Sequence, residues 1–158
     1  MTNQEINIFS RKITNASKSQ LIVIMYEVAI KYIDDGIEAL KNSEVDIYRL
    51  NLKRAKSVIN ELNSVLDMTQ NISLELRRLY VFMIGVLVKA DIRMETEELI
   101  RVRGMLEKLM SAFSDVSKSD ESGPIMENTQ TVYAGLTYGK SSLNVNLSDQ
   151  GTNRGFCV

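Results

Sequence analysis

The chain contains no histidine. That excludes serine–histidine triads, histidine phosphotransfer bundles and the Glu-x-x-His di-iron sites of ferritin-like bundles. No glycine-rich phosphate loop is present, so the usual nucleotide fingerprints are also absent. There is one cysteine, Cys157, which cannot close an internal disulfide and suits a reducing compartment. Only Val158 follows it, so it is not a prenylation box. The single proline, Pro124, leaves the stretch from Ser17 to Val116 free of helix breakers. The longest apolar run, Tyr80 to Val88, is far short of the ~20 residues that span a bilayer. The opening MTNQEINIFSRK carries no apolar signal core, so neither membrane insertion nor conventional secretion is expected.

Charge is also nearly balanced. A net charge of -1 provides no basic field for nucleic acid or an acidic membrane. At 44% hydrophobic and 25% charged, the 158 residues have the composition of a folded globular chain with a real core. No constellation of lysine, tyrosine or carboxylate points to catalysis, and no cofactor or metal is implied.

What is there is helical periodicity. Ser17-Lys18-Ser19-Gln20 is a capping-box pattern. It opens a first helix with the stripe Ile22, Tyr26, Ala29, Ile33, Ile37, Leu40. A second helix is predicted to start near Asp46, with Tyr48, Leu52, Ala55, Ile59, Leu62 and Leu66 on one face. A third starts at Ser73 and carries Leu76, Tyr80, Met83, Leu87 and Ala90. A fourth has Thr96 as its cap and the seam Leu99, Val102, Leu106, Leu109, Phe113, Val116, with Gly104 inside it. The fold predicted is all-α: an antiparallel up-down four-helix bundle with a short N-terminal leader and a flexible C-terminal tail. The boundaries predicted are 1–16 for the leader, 17–116 for the bundle, and 117–158 for a linker and disordered tail. Within that tail, Tyr133 to Lys140 mixes aromatics with glycines and hints at a short docking motif.

The first and third helices carry more apolar surface than one buried face needs. Val81, Ile84 and Val88 flank the third stripe on one side, Phe82 and Val86 on the other. Leu21, Ile24, Met25, Val28 and Tyr32 widen the first. A helix apolar nearly all round is normally buried all round. The surplus is therefore covered by a fifth segment of this chain, by a second copy or by a partner. An amphipathic partner helix in an apolar groove is one recurrent solution, and the eight methionines suit an adaptable surface.

The stretch Asn15-Ala16-Ser17 followed by Leu21–Ile30, LIVIMYEVAI, resembles the opening of the flagellin export chaperones of the FliS family. Asn7-Ile8-Phe9 is similar to their leader, AKSVINELNSVLD (55–67) to their second helix, and Leu76 to Ala90 to their third. Departures include Glu27 for an aspartate, Lys18 for a proline and Val81 for an acidic residue. The resemblance covers about Asn7 to Val116. It implies a non-catalytic cytoplasmic chaperone that binds the disordered C-terminal segment of flagellin in apolar grooves, prevents premature polymerisation and delivers it to the flagellar export apparatus. Candidate groove residues are Phe9, Met25, Tyr26, Val28, Tyr80, Val81, Ile84 and Val88. Phe9 is expected to cover part of a groove before the partner arrives. The alternative reading is a structural homodimer whose surplus apolar faces bury each other.

Overall fold

The computed structural model describes residues 1–126; Tyr133 to Lys140 and Cys157 lie outside them. Five helices form among the described residues, with no strand: α1 (Asn3–Thr14), α2 (Lys18–Lys41), α3 (Val45–Ser64), α4 (Asn71–Arg93) and α5 (Glu97–Lys118). The expectation of four helices behind a short leader is corrected to five, because the leader is itself a helix. Its start was written in the sequence. The Thr2 hydroxyl accepts from the Glu5 amide and the Glu5 carboxylate accepts from the Thr2 amide, a reciprocal cap. The segment has too few apolar residues to show a stripe, which is why periodicity passes over it.

The other boundaries follow local chemistry. Ser17 and Gln20 form the capping box expected for α2. α3 starts one residue ahead of Asp46, which sits in its first turn near the positive end of the helix dipole. α4 starts at Asn71 instead of Ser73; the Ser73 hydroxyl is buried and donates back to the Asp67 carbonyl at 2.6 Å. Thr96 occupies the N-cap position of α5 but makes no side-chain cap bond. Ser43 and Met94 adopt left-handed backbone (φ 61° and 55°) where the chain leaves α2 and α4.

α5 also runs past Val116, and the residues after it return to the body. The Asp120 carboxylate accepts from the hydroxyls of Ser17 (3.1 Å) and Ser19, and the Ile125 amide donates to the Ala16 carbonyl at 3.0 Å. The Ser122 hydroxyl first, and then that of Ser19, holds the Asp120 carboxylate well below its usual range. A plain linker over 117–124 is thus replaced, up to Ile125, by a strap across the α1–α2 junction.

The helices α2, α3, α4 and α5 touch in a ring, each packing against the next, and α1 lies on α2 alone. α2 consequently has three neighbours and α4 has two. The predicted stripes are the core: Tyr26, Ala29 and Ile33 of α2, Tyr48 to Leu62 of α3, Leu76 to Ala90 of α4, and Leu99, Val102 and Leu106 of α5 are buried. Only the last residue of the fourth seam, Val116, is exposed.

Three tyrosines stand in this core with almost no exposure, and each hydroxyl has a partner. Tyr26 and Tyr80 hydrogen-bond to one another, and Tyr48 donates to the Ala90 carbonyl at 2.8 Å. Burial pushes all three phenols up, so they stay neutral. The Tyr26 ring also lies 5.6 Å from that of Phe113. At the other end of α2, a Cβ on Gly36 would meet Leu52 Cδ1 at 2.9 Å, so glycine permits the close approach of α3.

Two stability tests follow. Tyr26→Phe leaves the Tyr80 hydroxyl buried without its partner and is expected to lose about 1–3 kcal/mol. Adding Tyr80→Phe should recover most of that loss in chemical denaturation; strictly additive losses would show the two hydroxyls are independent. Gly104→Ala, where the added methyl meets nothing within 4 Å, should gain about 1 kcal/mol. Gly36→Ala should instead be destabilising, because overpacking costs about 1–3 kcal/mol; an equal gain at both sites would refute the close approach.

Candidate partner-binding surfaces

α1 is held to α2 mainly by charge. Glu5 lies 2.9 Å from Lys31, Lys31 lies 2.8 Å from Asp35, and Asp35 also pairs with the N-terminal ammonium. Further along, Lys12 meets Glu27 at 2.5 Å and stands 5.4 Å from the centre of the Phe9 ring. Not one residue of α1 is fully buried: Phe9 is half-buried, and Ile6 and Ile8 are exposed. The Glu5 carboxylate is brought down from 4.5 to about 2, first by the Thr2 amide and then by Lys31. The Lys31 ammonium is raised in turn, first by Asp35 and then by Glu5.

Beside this helix lies an apolar hollow lined by Ile13 of α1, Ile24, Met25 and Val28 of α2, and Val58 of α3. Met25 and Val28, two of the sequence candidates, line it and are half-buried. Phe9 is on the same short helix as Ile13, one turn before it. Val58 was missed, because α3 reads as single-faced and Val58 sits one position from the core residue Ile59.

Tyr26 and Tyr80 point into the core and are joined there by their hydroxyls. Their place in the core stripes decides that position. Tyr80 also lines a hollow with Leu62, Leu66, Leu76 and Phe113.

The α4 candidates divide. Ile84 is half-buried and packs against the core. Val81 and Val88 are exposed, and so are Leu74, Phe82 and Ile92. Val81 and Phe82 border a shallow hollow with Leu74, Arg77 and Arg78. Leu74 was missed although it precedes Val81 by seven residues, as Val81 precedes Val88, which is the spacing of one helix face. The structure thus brings Phe9, Met25 and Val28 to the α1–α2 side and Val81 and Val88 to α4, and does not bring the two groups together. Among the described residues no cluster of three or more potential metal ligands forms, and no helix is long and apolar enough to cross a membrane.

Residues 1–120 match the sequence model of the flagellar protein FliS. The chain is also similar to the flagellar secretion chaperone FliS of Bacillus subtilis (strain 168), with 26% identity over 108 residues, covering 68% of this chain and 81% of the relative.

The seat of α1 should be sensitive to acid. A carboxylate whose folded value is depressed contributes stability above its unfolded value and loses it as pH falls through the folded value. For Glu5 that window runs from 4.5 down to about 2. In NMR spectra the α1 chemical shifts should move toward unfolded values within it while those of α2 to α5 hold. Glu5→Gln should loosen α1 already at neutral pH and flatten the change. α1 shifts that stay helical to pH 2 and match those of Glu5→Gln would show that the Glu5–Lys31 pair does not hold the helix.

Proposed function

The chain belongs to the FliS family of flagellar proteins, and we propose that it is a cytoplasmic flagellar secretion chaperone. It binds the disordered C-terminal segment of flagellin, keeps flagellin from polymerising prematurely and delivers it to the flagellar export apparatus. The family match over residues 1–120 carries this reading. The relative's name supports the same role, which is that of a binding protein and not of an enzyme. In this reading α2 to α5 act as the up-down bundle that presents the binding surfaces.

The apolar hollow of Ile24, Met25, Val28 and Val58 is the primary flagellin groove. Its lining suits such an occupant, because an amphipathic helix gains by burying its apolar face there, at about 25 cal/mol per Å² of apolar surface removed from water. α1 is the cover at its edge. α1 buries no residue fully and its Lys12 and Lys31 ion pairs are part-exposed, so moving it forfeits mainly the shielded pair of the N-terminal ammonium with Asp35. A flagellin segment that offers more apolar surface than Phe9 and Ile13 then displaces it. Folding along the groove hides the flagellin surface that would join another flagellin subunit. Val81 and Val88 extend the binding surface to a second side of the bundle.

Titration of the full chain with a flagellin C-terminal fragment should give saturable one-to-one binding. Val28→Glu with Val58→Glu should weaken it on the order of a hundredfold or more, since an unpaired charge would be buried on binding. Circular dichroism on the same variant confirms that the bundle persists. Phe9→Ala, which loosens the cover, should tighten binding. An obligate dimer that ignores the fragment would favour the structural homodimer instead.

A further inference from the structure

A hollow of about 280 Å³ opens at the end of the bundle where α1 begins, α2 ends and α3 begins. It shares no lining residue with the apolar hollow of Met25 and Val28. Four carboxylates line it, those of Glu5, Asp35, Glu38 and Glu44, against two cations, Lys31 and the N-terminal ammonium. Four against two leaves an excess of two negative charges. Glu5 is paired with Lys31, and Asp35 with Lys31 and the ammonium. Glu38 and Glu44 make no ion pair among the described residues, and the Glu44 side chain does not cap α3 although it stands at the N-cap position.

The α3 side of the hollow holds Asn51, which is only 4% exposed. A buried amide side chain ordinarily meets a hydrogen-bond partner, yet that of Asn51 meets none among the described residues. α2 and α3 pack closely beside it, since a Cβ on Gly36 would stand 3.7 Å from the Asn51 Cβ. An apolar side chain would serve such packing better, whereas an amide in the lining of an anionic hollow adds a neutral acceptor to it. Ala39 and Ile47 give the same lining an apolar part.

These features define a ligand. The excess negative charge rules against an anion. No three potential metal ligands cluster among the described residues, so a bare divalent cation lacks its donor set. Two unpaired carboxylates, a neutral acceptor and an apolar patch fit a short alkyl chain with an ammonium at each end. We propose that this hollow binds an aliphatic diamine or polyamine. Its methylenes lie against Ala39 and Ile47, and its ammonium groups meet Glu38, Glu44 and the Asn51 amide oxygen. Thr2 and Glu5 of α1 share the lining, so the bound amine bridges α1 to α2 and α3. Whatever binds only the seated form of α1 stabilises that seat.

The test titrates the full chain with diaminobutane and with butylamine, which has the same carbon chain and the single ammonium of a lysine side chain. Calorimetry should show saturable one-to-one binding of the diamine, weakened by salt, and binding of butylamine weaker by about tenfold or more. Glu38→Gln with Glu44→Gln, both exposed, should lower the diamine affinity by about tenfold or more at an unchanged melting temperature. Asn51→Leu should lower it too, while the fold stays as stable or gains, since a buried amide without a partner is removed. Amide hydrogen exchange in α1 should slow when the diamine is bound, and should not respond in the Glu38 and Glu44 double variant. Equal binding of butylamine overturns the proposal and gives the hollow to a partner's lysine. Diamine affinity that survives the Glu38 and Glu44 changes also overturns it, as does an equal response to magnesium chloride at the same ionic strength. So does α1 exchange that the bound amine leaves unchanged.

Discussion

A phenol hydroxyl at the centre of a helical bundle must find a partner there, and Tyr26 and Tyr80 find each other from opposite corners. Their helices make no backbone contact, yet the two side chains reach across and share one hydrogen bond within the buried core. An unmet hydroxyl in that place costs about 1–3 kcal/mol, a large part of the stability of a small domain. The bond therefore sets the rotation of both helices about their own axes. With Tyr26 inward, Met25 and Val28 turn toward α3 and α1. With Tyr80 inward, Val81 and Val88 turn to the outside. The outward turn of these apolar side chains follows from where the two hydroxyls meet.

The same bundle treats its two apolar surpluses differently. On α2 the surplus lies beside α1, whose fastening is polar and, but for the shielded pair of the N-terminal ammonium with Asp35, part-exposed. A cover of that kind shields apolar side chains from water and from each other's copies, yet opposes a competitor only weakly. Ion pairs at the surface are each worth about a kcal/mol or less, whereas an apolar helix face exchanges many square ångströms at once. The strap from Asp120 to Ile125 ties the α1–α2 junction to the end of α5. α1 is thus anchored at its base while its far end depends on Glu5, Lys31 and Asp35.

On α4 the surplus has no cover among the described residues, and its chemistry differs accordingly. The α2 hollow is mainly apolar, although Ser57 and Glu61 also line it. The α4 hollow has Arg77 and Arg78 beside Leu74, Val81 and Phe82.

Much of this was legible in the residues. The four long stripes appear as cores because helical periodicity is a local property: a residue three or four positions away shares a face whatever else the chain does. The cap at Ser17 and Gln20 was equally local, as was the one at Thr2 and Glu5 that the sparse apolar content of the leader obscured. The sequence also exposed the excess of apolar surface on α2 and α4. It could not say which excess would be covered, because coverage is a contact between elements far apart in the chain. α1 is next to α2 in sequence and lies on it, while among the described residues no fifth helix lies on α4. Helical angle alone set Tyr26 and Tyr80 in the core stripes and Met25 and Val81 on their flanks. That the two hydroxyls meet in the centre is a contact between helices distant in the chain, which only the tertiary structure decides.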